Sequence, residues 1–301
     1  MSAAEGEHRA GFVALLGRPN VGKSTLMNAL VGEKVAITTD RPETTRKAVR
    51  GILTRPDAQI VFVDTPGVHR PRTLLGQRLN DTVTQVMGEV DVIAACFPAN
   101  EEIGPGDRRL VQSLRQWPRA RRVAVVTKSD AVARDALAAR LIAVDRLTDW
   151  DDVIPVSALA DQQLDELVDV LRALLPASPN LYPEDQRAEE SVAEHVAELI
   201  REALISDLEA ELPHPVAVVV DSLEPRSDKP GLVDVHASIF VERDSQKAIV
   251  IGRSGTRLRT AGTAAREQIE AYLGKHVFLD VRVKVAREWQ TSPKQLGRLG
   301  F

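Results

Sequence analysis

The chain has 301 residues, 44% hydrophobic and 27% charged, with a formal net charge of −4 and one cysteine. That composition describes a globular chain long enough for two cores. An internal disulfide is excluded, and no run approaches the ~18 apolar residues that a membrane-spanning helix needs. The acidic start over residues 1–11 has no apolar h-region, so no signal peptide is expected. The charge is uneven. Residues 252–301 hold ten Lys/Arg against four Asp/Glu, a balance of +6, and the rest of the chain carries −10. A basic end on an acidic protein points to a localised polyanion site.

Phe12-Val13-Ala14-Leu15-Leu16 is an uninterrupted apolar run, as a strand covered on both faces requires. Gly17-Arg18-Pro19-Asn20-Val21-Gly22-Lys23-Ser24-Thr25 follows, with the spacing Gly, four residues, Gly-Lys-Ser/Thr. Leu26, Ala29 and Leu30 then recur at helical spacing. Strand, glycine loop and helix in that order predict a loop whose backbone N–H groups wrap a polyphosphate at a helix N-terminus. In such a loop Lys23 reaches the β and γ phosphates, and the Ser24 hydroxyl sits on Mg²⁺.

Thr44-Thr45-Arg46 lies in a polar segment well placed to be a mobile loop. One threonine hydroxyl there completes the Mg²⁺ shell, and position favours Thr45. Residues 48–53 and 59–64 read as strands joined at Pro56-Asp57, the second leading into Asp64-Thr65-Pro66-Gly67. Asp64 stands where a Walker B carboxylate holds the metal, and the Gly67 amide where the γ-phosphate is sensed. Lys23, Thr45, Asp64 and Gly67 are the expected catalytic set. Helices over 74–87, 111–117 and 131–144 alternate with strands over 92–97, 122–126 and 153–156. The pattern predicts a mostly parallel, doubly wound α/β sheet with each polar motif at the carboxyl end of a strand.

Thr127-Lys128-Ser129-Asp130 selects the base. The Asp130 carboxylate accepts hydrogen bonds from guanine N1–H and the N2 amino group, a donor pair that adenine lacks. The Lys128 stem lies over the purine ring, and Ser157-Ala158-Leu159 closes the pocket with a backbone N–H toward O6. Three prolines within 176–183 place a linker at 179–186, between a domain of residues 1–178 and one of 187–301. The second domain reads as a helix from Val192, strands over 215–220 and 232–241, a short helix over 245–251, a longer helix from Thr256 and a strand over 277–285. Between the two last helices lies Gly252-Arg253-Ser254-Gly255, with Ile251 before it and Arg257 and Arg259 after it.

The four nucleotide motifs, in order and spacing, resemble the translation-factor class of P-loop GTPases. Gly-Arg-Pro-Asn-Val-Gly-Lys-Ser, Thr-Thr-Arg and Asp-Thr-Pro-Gly-Val resemble its Era-like branch. Residues 249–255 resemble the nucleic-acid loop of a type II KH domain, whose small glycines let phosphates approach the backbone. Leu181-Tyr182-Pro183-Glu184-Asp185-Gln186 and Val241-Glu242-Arg243-Asp244-Ser245-Gln246-Lys247 extend the likeness along nearly the whole chain. The resemblance implies a doubly wound GTPase domain followed by an α+β KH domain. It implies binding of GTP and GDP with Mg²⁺, hydrolysis of GTP, and an RNA clamp of Ile251 to Gly255 with Arg257 and Arg259. It further implies recognition of the 3′ end of small-subunit ribosomal RNA, help in assembling the small subunit, a cytoplasmic location, and peripheral association with the inner face of the membrane. The basic stretch 282–298 is the alternative RNA surface.

Two residues depart from the family pattern. Thr127 stands where the family has an asparagine that bonds the base and braces the phosphate loop. A hydroxyl is shorter and makes fewer bonds, which affects affinity more than specificity. Val68 stands where many relatives carry the glutamine that orients the attacking water. A potassium ion held partly by Asn20 and the mobile loop, or a partner, would then take that part, while Asn20 serves equally well as a loop brace. A reading of a different class is an RNA-binding module that keeps its nucleotide as a structural ligand. Lys23, Ser24 and Asp64 favour hydrolysis, while Val68 and Thr127 leave room for the structural ligand.

Overall fold

The computed structural model describes residues 7–39, 44–66, 73–207 and 216–301. Two compact units emerge, their main bodies dividing between Glu189 and Glu190. The first is built on β1 (Arg9–Leu16), β2 (Val49–Arg55), β3 (Ala58–Asp64), β4 (Val92–Pro98), β5 (Arg121–Thr127) and β6 (Asp152–Pro155). They form one sheet in the order β2-β3-β1-β4-β5-β6, in which β2 alone runs antiparallel to its neighbour. The helices that follow these strands are α1 (Lys23–Val31), α2 (Leu74–Glu89), α3 (Pro105–Ser113), α4 (Arg134–Asp145) and α5 (Leu164–Leu174).

Every residue of β3 and β4 is buried. Val13, Leu15, Phe62 and Val125 enter one core with Leu26 of α1 and Leu167 of α5. Ala14, Leu16, Val63 and Phe97 enter the other with Leu110 of α3 and Val144 of α4. Successive strand residues therefore feed two cores, which is why the strands read as apolar without alternation. Each buried Val, Leu or Phe contributes about 1.5–3 kcal/mol by leaving water. The sheet's order turns back beside β1, so the loops at the carboxyl ends of β1 and its neighbours form the crevice where such sheets bind ligands.

Two helices of the first unit differ most from the sequence expectation. The helix expected over 111–117 starts earlier, at Pro105, and ends in a 3₁₀ turn, Leu114–Gln116. Its start is fixed by proline in the first turn and by the Asp107 carboxylate accepting from Gly104 N at 2.8 Å. Helix α5 was not expected at all, although Leu164, Leu167, Val168 and Leu171 bury one face at helical spacing. The proline-rich stretch after it is docked onto the first unit. Gln59, fully buried in β3, accepts from Leu181 N at 2.7 Å and Tyr182 N at 2.8 Å, and donates to Tyr182 O at 2.9 Å. Ile52 N donates to Arg187 O at 2.8 Å, extending the attachment along β2.

The second unit contains α6 (Val192–Asp207), β7 (Ala217–Pro225), β8 (Leu232–Val241), α7 (Asp244–Ile251), α8 (Thr256–Leu273), β9 (His276–Val285) and α9 (Pro293–Arg298). Its sheet runs β7-β8-β9, antiparallel then parallel. This is the α+β order of a type II KH domain, as expected. Val196, Leu199 and Ile200 of α6 and Ala261, Ala265 and Ile269 of α8 are buried, along with Val235 and Ile239 of β8. After β9 the chain buries Trp289 against the Phe301 ring, their centroids 5.7 Å apart.

Candidate nucleotide and RNA sites

The phosphate-loop residues 17–22 connect β1 to α1, and Lys23, Ser24 and Thr25 form the first turn of that helix. Gly22 has φ +97°, a conformation that a side chain would strain. Lys23 is buried. Its ammonium donates to the carbonyls of Gly17 at 3.1 Å and Arg18 at 3.0 Å, so the loop's own oxygens hold it where phosphate oxygens would. Burial pushes the Lys23 pKa below its ordinary value, and nearby Asp64 opposes that fall. Arg18 fastens the outer side of the loop, pairing with buried Asp107 at 2.7 Å and with Glu101 at 2.8 Å.

Ser24, Thr45 and Asp64 come together at one carboxylate oxygen. Ser24 Oγ donates to Asp64 Oδ2 at 2.5 Å and Thr45 Oγ1 donates to it at 3.1 Å, the two hydroxyls lying 3.2 Å apart. Asp64 is fully buried, and burial pushes its carboxyl above the ordinary carboxylate range against the pull of Lys23, Ser24 and Thr45. Its Oδ1 has no hydrogen-bond partner among the described residues. A buried carboxylate with a spare oxygen and two hydroxyls is a hard-oxygen donor set that fits Mg²⁺. Thr65 ties the end of β3 to β1, its hydroxyl donating to Leu15 O at 2.9 Å, and Pro66 is buried beside it. Gly67 and Val68 lie outside the described residues.

The motif expected to select the base follows β5. Thr127, 3% exposed, donates its hydroxyl to Val21 O at 2.6 Å. The bracing expected of an asparagine is therefore met by the hydroxyl. Lys128 takes a positive φ of 57°, and its ammonium donates to Asn20 O at 2.9 Å. Asn20 itself is exposed with φ 63°. Ser129 is buried, its N–H donating to Val156 O at 3.1 Å. Asp130 is exposed, and one oxygen, Oδ1, accepts from Ser157 Oγ at 2.5 Å. That bond aims the carboxylate and leaves its other oxygen open, a part for the Ser157 side chain that sequence reasoning missed. Ser157 Oγ in turn accepts from Ala160 N at 3.0 Å. Ala158 is half-buried, while Leu159 stands 84% exposed.

In the second unit, residues 252–255 link α7 to α8. Gly252 has φ +74°, and a Cβ there would lie 2.7 Å from Arg257 Cβ, so this position takes glycine alone. Ile251 is half-buried, and Arg253, Ser254 and Arg259 are exposed. Arg257 turns inward, donating to Ile249 O at 3.3 Å and bracing the end of α7. Beside the loop, a groove of about 460 Å³ runs between α8 and β9, lined by Gly255, Arg259, Thr263, Arg266 and Phe278 among others. Arg266 is not among the residues expected at the RNA site, and the few aromatics near it in sequence (Tyr272, Phe278 and Trp289) point to hydrogen bonding and shape over base stacking. Phe278, 48% exposed, lines the groove and has the Arg226 guanidinium over its ring, 5.2 Å from the centroid.

A family model described as a 50S ribosome-binding GTPase matches residues 12–128, and a KH-domain model matches residues 211–290. GTPase Era of Mycobacterium avium is 57% identical over 98% of this chain and 99% of its own length. GTPase Era of Streptomyces coelicolor is 55% identical over 99% of this chain and 96% of its own length. Among solved structures, Era in complex with MgGDPNP and nucleotides 1506–1542 of 16S ribosomal RNA is similar with a TM-score of 0.92 and 33% identity, over 97% of this chain and 99% of that one. A variant of Aquifex aeolicus Era bound to GDP·AlF₄⁻ is similar with a TM-score of 0.93 and 32% identity, over the same shares of the two chains.

Proposed function

This chain belongs to the Era family of GTPases, and from that premise we propose how its residues work. It is a guanine-nucleotide switch that hydrolyses GTP, grips the 3′ end of small-subunit ribosomal RNA with its KH domain, and serves assembly of the small subunit in the cytoplasm. The observation that carries the reading is the meeting of Ser24, Thr45 and Asp64 beside Lys23. When bound there, Mg²⁺ supplies positive charge against the β and γ phosphates. Lys23 exchanges the Gly17 and Arg18 carbonyls for phosphate oxygens, a move between acceptors that leaves no buried ammonium unpaired. The backbone N–H groups of the glycine loop hold the phosphate chain.

Asp130, aimed by Ser157, accepts from guanine N1–H and N2 and leaves adenine without a matching pair. Thr127 fixes the loop that carries these contacts. Val68 offers no group to orient water, so hydrolysis is slow and relies on a potassium ion near Asn20 or on the assembling subunit. Arg253 and Ser254, exposed between Gly252 and Gly255, meet RNA phosphates, and the groove beside them takes the bases. No helix among the described residues is long and apolar enough to cross a membrane. Association at the membrane's inner face has family likeness alone behind it.

The test uses one preparation and two ligands. Arg253→Asp with Ser254→Asp places two carboxylates in an exposed loop, where the fold tolerates them. Filter binding is expected to show a strong loss for a single-stranded 3′-end oligonucleotide and no change for GDP. Unchanged RNA binding would make residues 252–255 an ordinary turn and move the RNA surface to 282–298.

A further inference from the structure

Residues 107–122 hold six arginines and one aspartate, in the part of the chain that is otherwise acidic. Leu110, Val111, Leu114 and Ala120 of this stretch are buried in a core, so the segment is firmly seated. Its outer side carries Arg108, Arg109, Arg115 and Arg119, all exposed. Among the described residues, none of these four side chains forms an ion pair or a hydrogen bond. Glu101 and Asp107 pair with Arg18, and Asp151 pairs with Arg121.

Helix stability does not account for the cluster. Arg108 and Arg109 are the fourth and fifth of the nine residues of α3, outside the last turn, where the helix dipole would favour cations. The exposed positions at helical spacing from them hold Gln112 and Gln116, not acids that would offset the repulsion. Four unpaired guanidinium groups on a rigid support are costly for the protein alone and favourable beside a polyanion.

We propose that the outer face of α3 and the turn after it form a second RNA-contact surface, on the GTPase unit, which takes the phosphate backbone of ribosomal RNA. The inference rests on the ribosomal reading above and adds a site outside the KH groove. The cluster is all arginine and no lysine, and a guanidinium fork matches two phosphate oxygens at once. No exposed aromatic ring accompanies it, so it positions the protein without reading bases. A lipid surface would call for apolar side chains to insert, and none of the large exposed apolar residues falls within 105–122.

The experiment compares the full-length wild type with Arg108→Gln/Arg109→Gln/Arg115→Gln/Arg119→Gln. Two pair variants, 108 with 109 and 115 with 119, carry the test if the quadruple change disturbs folding. The probes are GDP, the single-stranded 3′-end oligonucleotide, purified small subunits, and vesicles of phosphatidylglycerol and phosphatidylcholine. GDP and oligonucleotide binding should stay at wild-type strength. Subunit binding should weaken about tenfold or more near physiological salt, and its log–log salt slope should become shallower by roughly 3 for four lost phosphate contacts, with each pair variant giving about half. Wild-type subunit affinity and slope in the variants would overturn the proposal. So would a loss confined to vesicle binding, which would assign the patch to lipid. The Arg253→Asp/Ser254→Asp protein separates the two claims: if it keeps full oligonucleotide and subunit affinity, the KH reading fails, whatever the arginine variants do.

Discussion

Thr127→Val keeps the shape of the side chain and removes one hydroxyl. In the wild type that hydroxyl donates to Val21 O at 2.6 Å, at a position 3% exposed. The Phe97 carbonyl, at 3.4 Å, is the poorer of its two acceptors, so the proton belongs to the phosphate loop. Valine leaves the Val21 carbonyl buried without this donor, a defect worth about 1–3 kcal/mol. The same loop is also held by Lys23 and by Lys128 on Asn20 O, which places the expected loss in the lower half of that range, about 1–2 kcal/mol. Urea unfolding of the GDP-saturated protein measures it directly. Preference for GDP over ADP should not change, because Asp130 is untouched. An unfolding free energy equal to wild type, with equal GDP affinity, would refute the claim that Thr127 braces the loop.

Two further outcomes follow from the same site. Asp130→Asn should move preference from guanine to xanthine nucleotides, since the extra carbonyl of xanthine would face the new amide donor. Competition among GDP, XDP and ADP checks this, and wild type binding ADP as well as GDP would remove Asp130 from the base site. Turnover should be faster in KCl than in NaCl at equal ionic strength, with the difference lost in Asn20→Ala. Equal rates in both salts would eliminate the potassium route and leave the partner route.

The nucleotide motifs were legible because their chemistry demands particular residue types at fixed spacing, as Gly22 and Lys23 illustrate. Thr45 was favoured on position alone, and its meeting with Asp64 depends on a fold that joins residues 19 apart in sequence. The partners of Arg18 were not legible, because Asp107 lies 89 residues away and nothing in spacing announces it. Helix α5 leaves a signal in Leu164, Leu167, Val168 and Leu171, but it is short and abuts the proline-rich stretch, whose breaker residues dominate the local pattern. That linker reads as a tether from its prolines. Its attachment depends on Gln59, which in an apolar strand looks like a mere interruption until its amide is seen bonded to Leu181 and Tyr182. The start of helix α3 is hidden in the sequence because its exposed side is arginine and its apolar contribution is limited to Leu110 and Val111.

Phosphate release from GTP in Mg²⁺, with and without purified small subunits, tests the central claim most directly when wild type is set beside Lys23→Ala. Slow release by wild type, accelerated by subunits and abolished in the variant, is the expected result. Release no greater than that of Lys23→Ala in either condition would contradict the account and leave the nucleotide as a structural ligand of an RNA-binding protein.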